Sequence, residues 1–285
     1  MQTSWNVRST LKWAHERLRA AGIDEARLGA ETLLAHVLSV ERFKLYLQPD
    51  LALSPEQWRS FDQVVGQRAQ GIPLQRLLGS VSFMGYSLRL SPGVFIPRFE
   101  TEELVEQAST RLSPHGPARF LDAGTGSGAI AIALCKRHAQ AHGVALDCSP
   151  EALELARKNA EWNQVVSRLQ FVRGDWLSGI EDRFDLIASN PPYVPTEQID
   201  RLAQEVREHD PRLALDGGAD GLAAIGMLAR QATSRLNVGG WLVLEMGDGQ
   251  APAVTALLEG AGYRHVRVHA DLSGIGRIAE AQWEG

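Results

Sequence analysis

Apolar residues recur at helical spacing through the first 80 residues of the chain. Leu11 and Leu18 lie on one face of a first predicted helix, and Asp24 is expected to cap a second one. Residues 54–57 read Ser-Pro-Glu-Gln, which is the form of a capping box and predicts the start of a further helix. We therefore predict that residues 1–80 form an all-helical domain.

The pattern changes to short alternating segments after this helical region. Between residues 81 and 98, apolar and polar residues alternate around glycine and proline, which predicts a β-hairpin that links two domains. Beyond residue 116, short apolar runs alternate with helical stretches; the runs are ARFLDAG, HGVALD, RLQFVRGD, FDLIASN, GGWLVLEMG and YRHVRVHAD. Such alternation is typical of a doubly wound α/β fold, a largely parallel sheet with helices on both faces, so this fold is predicted for residues 99–285.

The composition indicates a soluble, cytoplasmic protein. The chain has 285 residues, of which 44% are hydrophobic, and a formal net charge of −5. The sequence shows neither the apolar core of a signal peptide nor the ~18 consecutive apolar residues of a membrane span. Cys135 and Cys148 are interpreted as reduced core thiols. Residues 1–80 carry ten basic and eight acidic side chains, and the remainder carries nineteen and twenty-six. This balance argues against stable binding to nucleic-acid phosphates.

A glycine-rich turn, LDAGTGSGA at 121–129, follows the first apolar run of the predicted sheet. Gly124, Gly126 and Gly128 let the backbone turn tightly and approach a ligand, and the helix that follows offers free N–H groups to an anion. Asp147 ends the next run, at a position where a carboxylate can accept both ribose hydroxyls. The same glycines satisfy a variant of the dinucleotide-binding motif. A nicotinamide cofactor, a helix-capping role for Asp147, and a tight turn without a ligand all remain open at this point.

Several further residues are weaker candidates. Trp176 could form one wall of an adenine pocket with Asp175 near the exocyclic amine, or it could close the edge of the core. His138 and His142 are expected on one face of a helix, exposed to solvent; no third ligand is evident, so no metal site is predicted. Glu245, at the end of an apolar run, is interpreted as structural.

The segment SNPPYVP at 189–195 carries the most specific chemistry in the chain. Its prolines lack N–H donors and fix an extended backbone, so the segment presents acceptors. The side-chain oxygen of Asn190 and the carbonyl of Pro191 can accept the two N–H bonds of an amide or aryl amine, while Tyr193 packs on the planar group. They would orient a poorly nucleophilic nitrogen toward a sulfonium methyl group and stabilise the positive charge that develops on it. The alternative is a stiff turn without a ligand.

In chain order, a helical amino domain is followed by the segments GIPLQRLLGSVSFMG, FIPRFETEELVE, LDAGTGSGAI, SNPPYVP, LALDGGADGL and LEMGDGQ. With these motifs the chain resembles the protein-glutamine N5-methyltransferases, and most closely the release-factor glutamine methyltransferases of the PrmC/HemK family. The resemblance covers nearly the whole chain. It implies a seven-stranded, Rossmann-like methyltransferase sheet with a small helical N-terminal domain. It also implies S-adenosyl-L-methionine as cofactor and S-adenosyl-L-homocysteine as product.

The resemblance also implies which residues bind the two reactants. S-adenosylmethionine would be contacted by Gly124, Thr125, Gly126, Ser127, Gly128, Asp147, Trp176 and Asn190. The substrate glutamine amide would be held by Asn190, Pro191, Pro192 and Tyr193, with Asn190, Pro191 and Tyr193 as the catalytic residues. The protein substrate would be a class I peptide-chain release factor, modified in its Gly-Gly-Gln motif, and the enzyme would be a monomer without a membrane partner. Because every glycine-rich and proline-rich motif lies after residue 116, residues 1–80 are expected to dock this substrate.

Two departures from the family pattern and three alternative functions remain. Phe99-Glu100 stands where the family commonly has Pro-Asp, and Arg76 stands where a tyrosine is usual. The sequence assigns no role to the neighbouring Arg98 and Glu102. The alternatives are glutamine methylation of a large-subunit ribosomal protein, adenine-N6 methylation of nucleic acid, and a nicotinamide-dependent oxidoreductase. The acidic balance of residues 81–285 argues against the nucleic-acid substrate.

Overall fold

A computed structural model describes residues 5–114, 116–271 and 273–285. The chain divides into two compact units. One unit comprises the chain up to Ser80 together with Gln204–His209, and the other comprises Val81–Ala203 and Asp210–Gly285.

The first unit is helical and has its own apolar core. Its helices are α1 (Val7–Ala20), α2 (Ala26–Leu38), α3 (Lys44–Leu47), α4 (Pro55–Ala69), α5 (Leu74–Leu78) and the later segment Gln204–His209. Large buried side chains of this core include Leu18 from α1, Leu33 and Leu34 from α2, and Phe61 from α4. These residues recur at helical spacing, so burying one face of each helix stabilises the bundle.

The capping predictions in this unit have opposite outcomes. Ser54 caps α4 as predicted: its Oγ accepts from Gln57 N at 3.1 Å, and Gln57 Oε1 accepts from Ser54 N at 2.8 Å. The prediction for Asp24 is wrong. The turn after α1 continues through Glu25, which occupies the N-cap position of α2 without a side-chain hydrogen bond.

The second unit alternates strands and helices. Its strands are β1 (Ser80–Phe83, whose first residue belongs to the helical unit), β2 (Tyr86–Arg89), β3 (Ala118–Ala123), β4 (Ala141–Asp147), β5 (Leu169–Arg173), β6 (Phe184–Ser189), β7 (Leu236–Glu245), β8 (Arg264–Ala270) and β9 (Gly276–Gln282). Its helices are α6 (Glu100–Thr110), α7 (Ala129–Arg137), α8 (Pro150–Trp162), α10 (Ala223–Ala232) and α11 (Ala251–Gly260), with α9 being Gln204–His209 of the helical unit. Strands β1 and β2 form a separate two-stranded sheet.

The main sheet has seven strands in the order β5-β4-β3-β6-β7-β9-β8. Strands β3 to β7 pair in parallel, whereas β9 is antiparallel to both β7 and β8. The chain runs outward from β3 to β5 and then returns to place β6 on the other side of β3. The strand order therefore reverses between β3 and β6, and ligands of open α/β sheets bind beside such a reversal, at the carboxyl ends of the strands.

Both faces of this sheet are buried, as the alternating runs predict. Phe120, Leu186 and Val243 contribute to a core cluster that also contains residues of α6 and α7. Residues Leu121 and Ile187, which point the opposite way, belong to a second cluster with residues of α10 and α11. The predicted doubly wound α/β fold is therefore confirmed.

Two minor predictions are wrong. His138 follows the last residue of α7 and His142 lies in β4, so they do not share a helix face. Cys135 is buried, but Cys148 is exposed because it lies just beyond the end of β4. Within the described residues, no three metal-ligating side chains form a group that could hold a metal ion, and no helix has the length and apolar character needed to cross a membrane.

Candidate active site at the carboxyl edge of the sheet

The glycine-rich loop between β3 and α7 is anchored to the neighbouring strand. Gly124 N and Thr125 N both donate to Leu146 O, at 2.8 and 2.9 Å, and Gly126 N donates to Asp147 Oδ2 at 2.9 Å. A Cβ built on Gly124 or Gly126 meets no heavy atom within 4 Å. The loop thus leaves open space beside its backbone, as a ligand that lies along the loop requires.

Gly128 is the loop position with the strictest requirement. Its φ is +85°, and a Cβ there would lie 3.1 Å from Ala156 Cβ of α8. Both observations exclude a larger side chain without strain. Gly128 is also the N-cap of α7 and has no side chain to cap the helix, although Asp122 Oδ2 accepts from Ala131 N in the first turn. The other N–H groups of this first turn belong to a helix start at the carboxyl edge of the sheet, the kind of helix end that binds anions.

A buried amide that the sequence analysis missed fixes the loop to the hairpin. Asn159 of α8 is fully buried, and its Nδ2 donates to Ser127 O at 2.9 Å and to Arg89 O at 3.1 Å. Its Oδ1 accepts from Arg89 N at 2.8 Å. Asn159 lies on the inner face of an amphipathic helix, and its position in the helical pattern is the only signal that the sequence offers for this role.

Asp122 at the end of β3 is a second missed residue. Its side chain is fully buried, and Oδ2 accepts from Thr125 Oγ1 at 2.6 Å and from Ala131 N at 3.1 Å. Burial raises the pKa of this carboxyl group to about 7, against the opposing effect of those two hydrogen bonds. Its Oδ1 has no hydrogen-bond partner among the described residues. The available signal was an acidic residue two positions before Gly124, within the glycine-rich turn.

Asp147 holds the neighbouring loops while keeping acceptor capacity. Besides Gly126 N, its carboxylate accepts from Ser149 N at 2.9 Å through Oδ1. Ser149, not Asp147, caps α8, with Ser149 Oγ accepting from Ala152 N at 3.1 Å. A carboxylate has about four lone-pair positions, so two hydroxyls can still be accepted by this half-exposed group. The geometry fits a ribose diol.

Trp176 follows β5 and has a φ of +49°. Its half-buried side chain packs against the core cluster that contains Leu177 and Ile180, and the adjacent Asp175 is exposed. This packing supports the core-edge interpretation. A contact between Trp176 and a cofactor stays a prediction.

The segment 190–193 begins where β6 ends, directly beside the end of β7. Ser189 pairs with Leu244 in the parallel register, so Asn190 and Glu245 are the next residues on adjacent strands. Asn190 Nδ2 donates to Thr101 Oγ1 of α6 at 2.9 Å. Tyr193 OH donates to Glu245 Oε1 at 3.1 Å. The predicted substrate-binding residues are thus held by side chains from two other elements.

A second glycine-rich loop, residues 215–222, supports this segment from the backbone side. Val194 N donates to Leu215 O at 2.9 Å, and Gly217 N donates to Val194 O at 2.9 Å. A Cβ on Gly221 would lie 2.3 Å from Tyr193 O, so only glycine allows this approach. The loop fixes the path of the proline segment.

Glu245, at the end of β7, is a second buried carboxyl group at this edge. Only 1% of its surface is exposed, and burial raises the pKa of its carboxyl group to about 7. Thr101 Oγ1 donates to Glu245 Oε2 at 2.7 Å. Burial, with the Glu245 carboxylate nearby, also raises the pKa of Tyr193, which keeps the phenol protonated.

The residues around the departures from the family pattern have identifiable contacts. Arg98 forms an ion pair with the buried carboxylate of Asp210, and Glu102 Oε1 accepts from Met84 N at 2.7 Å. Arg76 Nη2 donates to His209 O at 3.4 Å within the helical unit. Phe99 is 73% exposed at the start of α6.

Two cavities lie away from this edge. One, of about 500 Å³, is in the helical unit and is lined by Arg27, Glu31 and Tyr46 among others. The other, of about 220 Å³, is at the amino ends of β3 and β4 and is lined by residues such as Arg119 and His142. Neither is lined by the glycine-rich loop, by Asp147 or by residues 190–193.

Two family models match the chain. One is described as PrmC N-terminal domain and covers residues 9–79; the other is described as Methyltransferase small domain and covers residues 91–219. A methyltransferase structure from Pyrococcus furiosus shares the fold, with a TM-score of 0.53 and 21% identity over 71% of this chain and 90% of that chain. The fold and the matched domain define the chain as a Rossmann-like methyltransferase.

Curated relatives give the particular family. The release factor glutamine methyltransferase of Geobacter sulfurreducens is 41% identical over 275 residues, covering 96% of this chain and 95% of the relative. That of Cereibacter sphaeroides is 42% identical over 272 residues, covering 95% and 96%. The chain belongs to the release factor glutamine methyltransferase family. The predicted family and class of enzyme are confirmed, and the nicotinamide-dependent alternative is set aside.

Proposed function

We propose that this enzyme transfers a methyl group from S-adenosyl-L-methionine to the side-chain amide nitrogen, N5, of the glutamine in the Gly-Gly-Gln motif of class I peptide-chain release factors. One observation carries the substrate assignment. The amide group of Asn190 donates to Thr101, which leaves its Oδ1 free to accept from an N–H donor at the carboxyl edge of the sheet. The names of the curated relatives support the same substrate.

The glycine loop and Asp147 fit S-adenosylmethionine. The open space beside Gly124 and Gly126 admits a ligand along the loop, the first turn of α7 offers N–H groups to its carboxylate, and Asp147 can accept its ribose hydroxyls. When bound, the cofactor supplies a methyl group on a positively charged sulfur. Thr125 and Ser127 complete the loop, and Trp176 provides an aromatic surface near the end of β5.

The proline segment holds the substrate amide. Asn190 Oδ1 and the Pro191 carbonyl accept its two N–H bonds, and the ring of Tyr193 packs on its plane. These acceptors orient the nitrogen lone pair and stabilise the positive charge that develops as the N–C bond forms and the C–S bond breaks. The methylated amide nitrogen then loses its proton to water, so the chain needs no strong base.

We further propose that the helical unit docks the intact protein substrate. The glycine-rich loop, Asp147 and the proline segment all lie in the other unit, which leaves binding of the substrate's remaining surface as the contribution of residues 1–80. The family model that matches residues 9–79 supports a family-specific role for this region.

Asn190 provides the test. Mass spectrometry of a class I release factor incubated with enzyme and cofactor should show one methyl group on the glutamine of Gly-Gly-Gln. Asn190→Ala removes the acceptor, and single-turnover methylation should fall by about 10²-fold or more, as for loss of one preorganised polar contact. Asn190→Asp should fall similarly, because its carboxylate stabilises the cationic reactant beside it.

The matched control is Asn237→Ala. Asn237 lies at the opposite end of β7 and also makes one side-chain hydrogen bond, to Asp185 Oδ1 at 2.8 Å. This variant should methylate at the wild-type rate. A wild-type rate for Asn190→Ala would refute the assignment of the amide site, and methylation of adenine in nucleic acid instead of glutamine would refute the substrate.

A further inference from the structure

Asn190 is the first member of a hydrogen-bonded chain that continues into the protein interior. Its Nδ2 donates to Thr101 Oγ1 at 2.9 Å, and Thr101 Oγ1 donates to Glu245 Oε2 at 2.7 Å. The other carboxylate oxygen of Glu245 accepts from Tyr193 OH at 3.1 Å. Thr101 is 3% exposed and Glu245 is 1% exposed, so water does not substitute for these partners.

The polarity of this chain is determined by its inner end. An ionised carboxylate can only accept, so the single hydroxyl hydrogen of Thr101 is committed to Glu245. Toward Asn190, the Thr101 oxygen can then act only as an acceptor. Asn190 must therefore present its NH₂ group to Thr101 and turn its carbonyl oxygen away, toward the position proposed for the substrate amide.

We propose that Thr101 and Glu245 are positioning residues that fix the orientation of the Asn190 amide and thereby make the site accept N–H donors instead of carbonyl oxygens. This inference rests on the proposed function, because it explains how Asn190 comes to present an acceptor. Glu245 also accepts from the hydroxyl of Tyr193. One carboxylate therefore fixes the orientation of Tyr193 directly and that of Asn190 through Thr101. Neither Thr101 nor Glu245 contacts the reacting atoms in this mechanism.

Protonation of Glu245 should reverse the polarity. A protonated carboxyl group can donate to the Thr101 oxygen, which frees the Thr101 hydroxyl hydrogen to donate to Asn190. The Asn190 amide would then rotate by about 180° and present its oxygen to Thr101. Burial and the nearby Glu100 carboxylate raise the pKa of Glu245 to about 7, while Thr101, Tyr193 and the Arg277 guanidinium act in the opposite direction. The carboxylate is the form above this pKa, so the methylation rate should rise as the pH increases through about 7.

Thr101 tests the middle of the chain. Thr101→Val keeps the shape but removes the hydroxyl, and we expect the single-turnover rate to fall by at least about 10-fold, as for a misplaced catalytic group. Thr101→Ser restores the hydroxyl and should recover the rate to within about threefold. Thr110→Val, at the exposed end of the same helix, should have no effect. Equal rates for wild type and Thr101→Val would overturn the proposal.

Glu245→Gln separates positioning from proton transfer and from a purely structural role. The glutamine oxygen can accept from Thr101 and its NH₂ can donate to Tyr193, so the rate should stay near that of wild type while the rise near pH 7 disappears. Glu245→Met cannot accept and should be slow at every pH. A Glu245→Gln variant as slow as Glu245→Met would identify a proton acceptor and overturn the proposal.

The side-chain amide resonances of Asn190 give a readout that does not depend on activity. They can be assigned by their absence in Asn190→Ala, and in the wild-type enzyme they should shift with an apparent pKa near 7. In Glu245→Gln they should not titrate, and persistence of the titration there would contradict the inference. If Asn190→Ala itself keeps full activity, the proposed function fails; if only the Thr101 and Glu245 variants keep wild-type behaviour, the positioning inference alone fails.

Discussion

At the residue scale, Asp147 combines an observed structural role with the proposed role in cofactor binding. It accepts backbone N–H groups from Gly126 and Ser149, which connects the glycine loop to the start of α8. Its remaining lone pairs are the ones proposed to accept the ribose hydroxyls. A substitution therefore changes loop order as well as ligand contacts, and the two effects must be measured separately.

Asp147→Ala should weaken S-adenosylmethionine binding by about 1.5–3 kcal/mol, the usual contribution of hydrogen bonds to a charged group. Isothermal titration calorimetry measures this change, and thermal unfolding without cofactor measures the cost of the lost loop contacts. Asp182→Ala, which removes an exposed carboxylate paired with Arg119, is the control and should leave affinity unchanged. An unaltered dissociation constant for Asp147→Ala would exclude this residue from the cofactor site.

The sequence offered Asn190 and Asp147 as candidates because each lies in a recognisable local motif. It did not identify the partners of Asn190. Thr101 is 89 residues away from Asn190 in sequence, and Glu245 is 144 residues away from Thr101. Only the pairing of β6 with β7 and the packing of α6 bring Asn190, Thr101 and Glu245 together. The sequence around Glu245 indicates only the end of a buried strand.

At the element scale, the glycine loop owes its shape to close packing as well as to backbone conformation. Gly128 combines a positive φ with a 3.1 Å approach to Ala156 on α8. Gly128→Ala should lower the free energy of unfolding by about 1–2 kcal/mol for the left-handed backbone and by about 1–3 kcal/mol more for crowding. Gly93→Ala has a similar φ of +77° but no atom within 4 Å, so it should show the backbone cost alone. Chemical denaturation measures both, and equal losses would contradict the packing argument.

Element types were predictable, whereas element ends were less so. The Ser54 capping box is a local interaction between neighbouring residues, so its sequence signature was sufficient. The ends of α7 and the start of α2 depend on turns with no such signature, and the interpretations of His138 and Asp24 failed there.

At the scale of the whole molecule, the two compact units are not two continuous stretches of chain. Gln204–His209 belongs to the helical unit although it lies between residues of the methyltransferase unit. Glu205 of this segment pairs with the buried guanidinium of Arg68 at 2.6 Å, and the Gln204 side chain lies against Gly71. No sequence pattern predicts these contacts, because a six-residue helix is too short to show a helical repeat of apolar residues.

The proposed division of labour predicts the effect of removing the helical unit. A chain that starts at Val81 keeps the glycine loop, Asp147 and the proline segment, so it should bind S-adenosylmethionine with unchanged affinity and methylate a short Gly-Gly-Gln peptide. For an intact release factor, kcat/KM should fall by about 100-fold, or ~2.7 kcal/mol, because the docking surface is absent.

Glu205→Gln in the truncated chain removes the charge left without its Arg68 partner and serves as a matched control for any loss of solubility. Comparing the two substrates at equal enzyme concentration makes the peptide an internal standard for an intact catalytic unit. Equal retention on both substrates, or equal loss on both with cofactor still bound, would show that residues 1–80 do not act by docking.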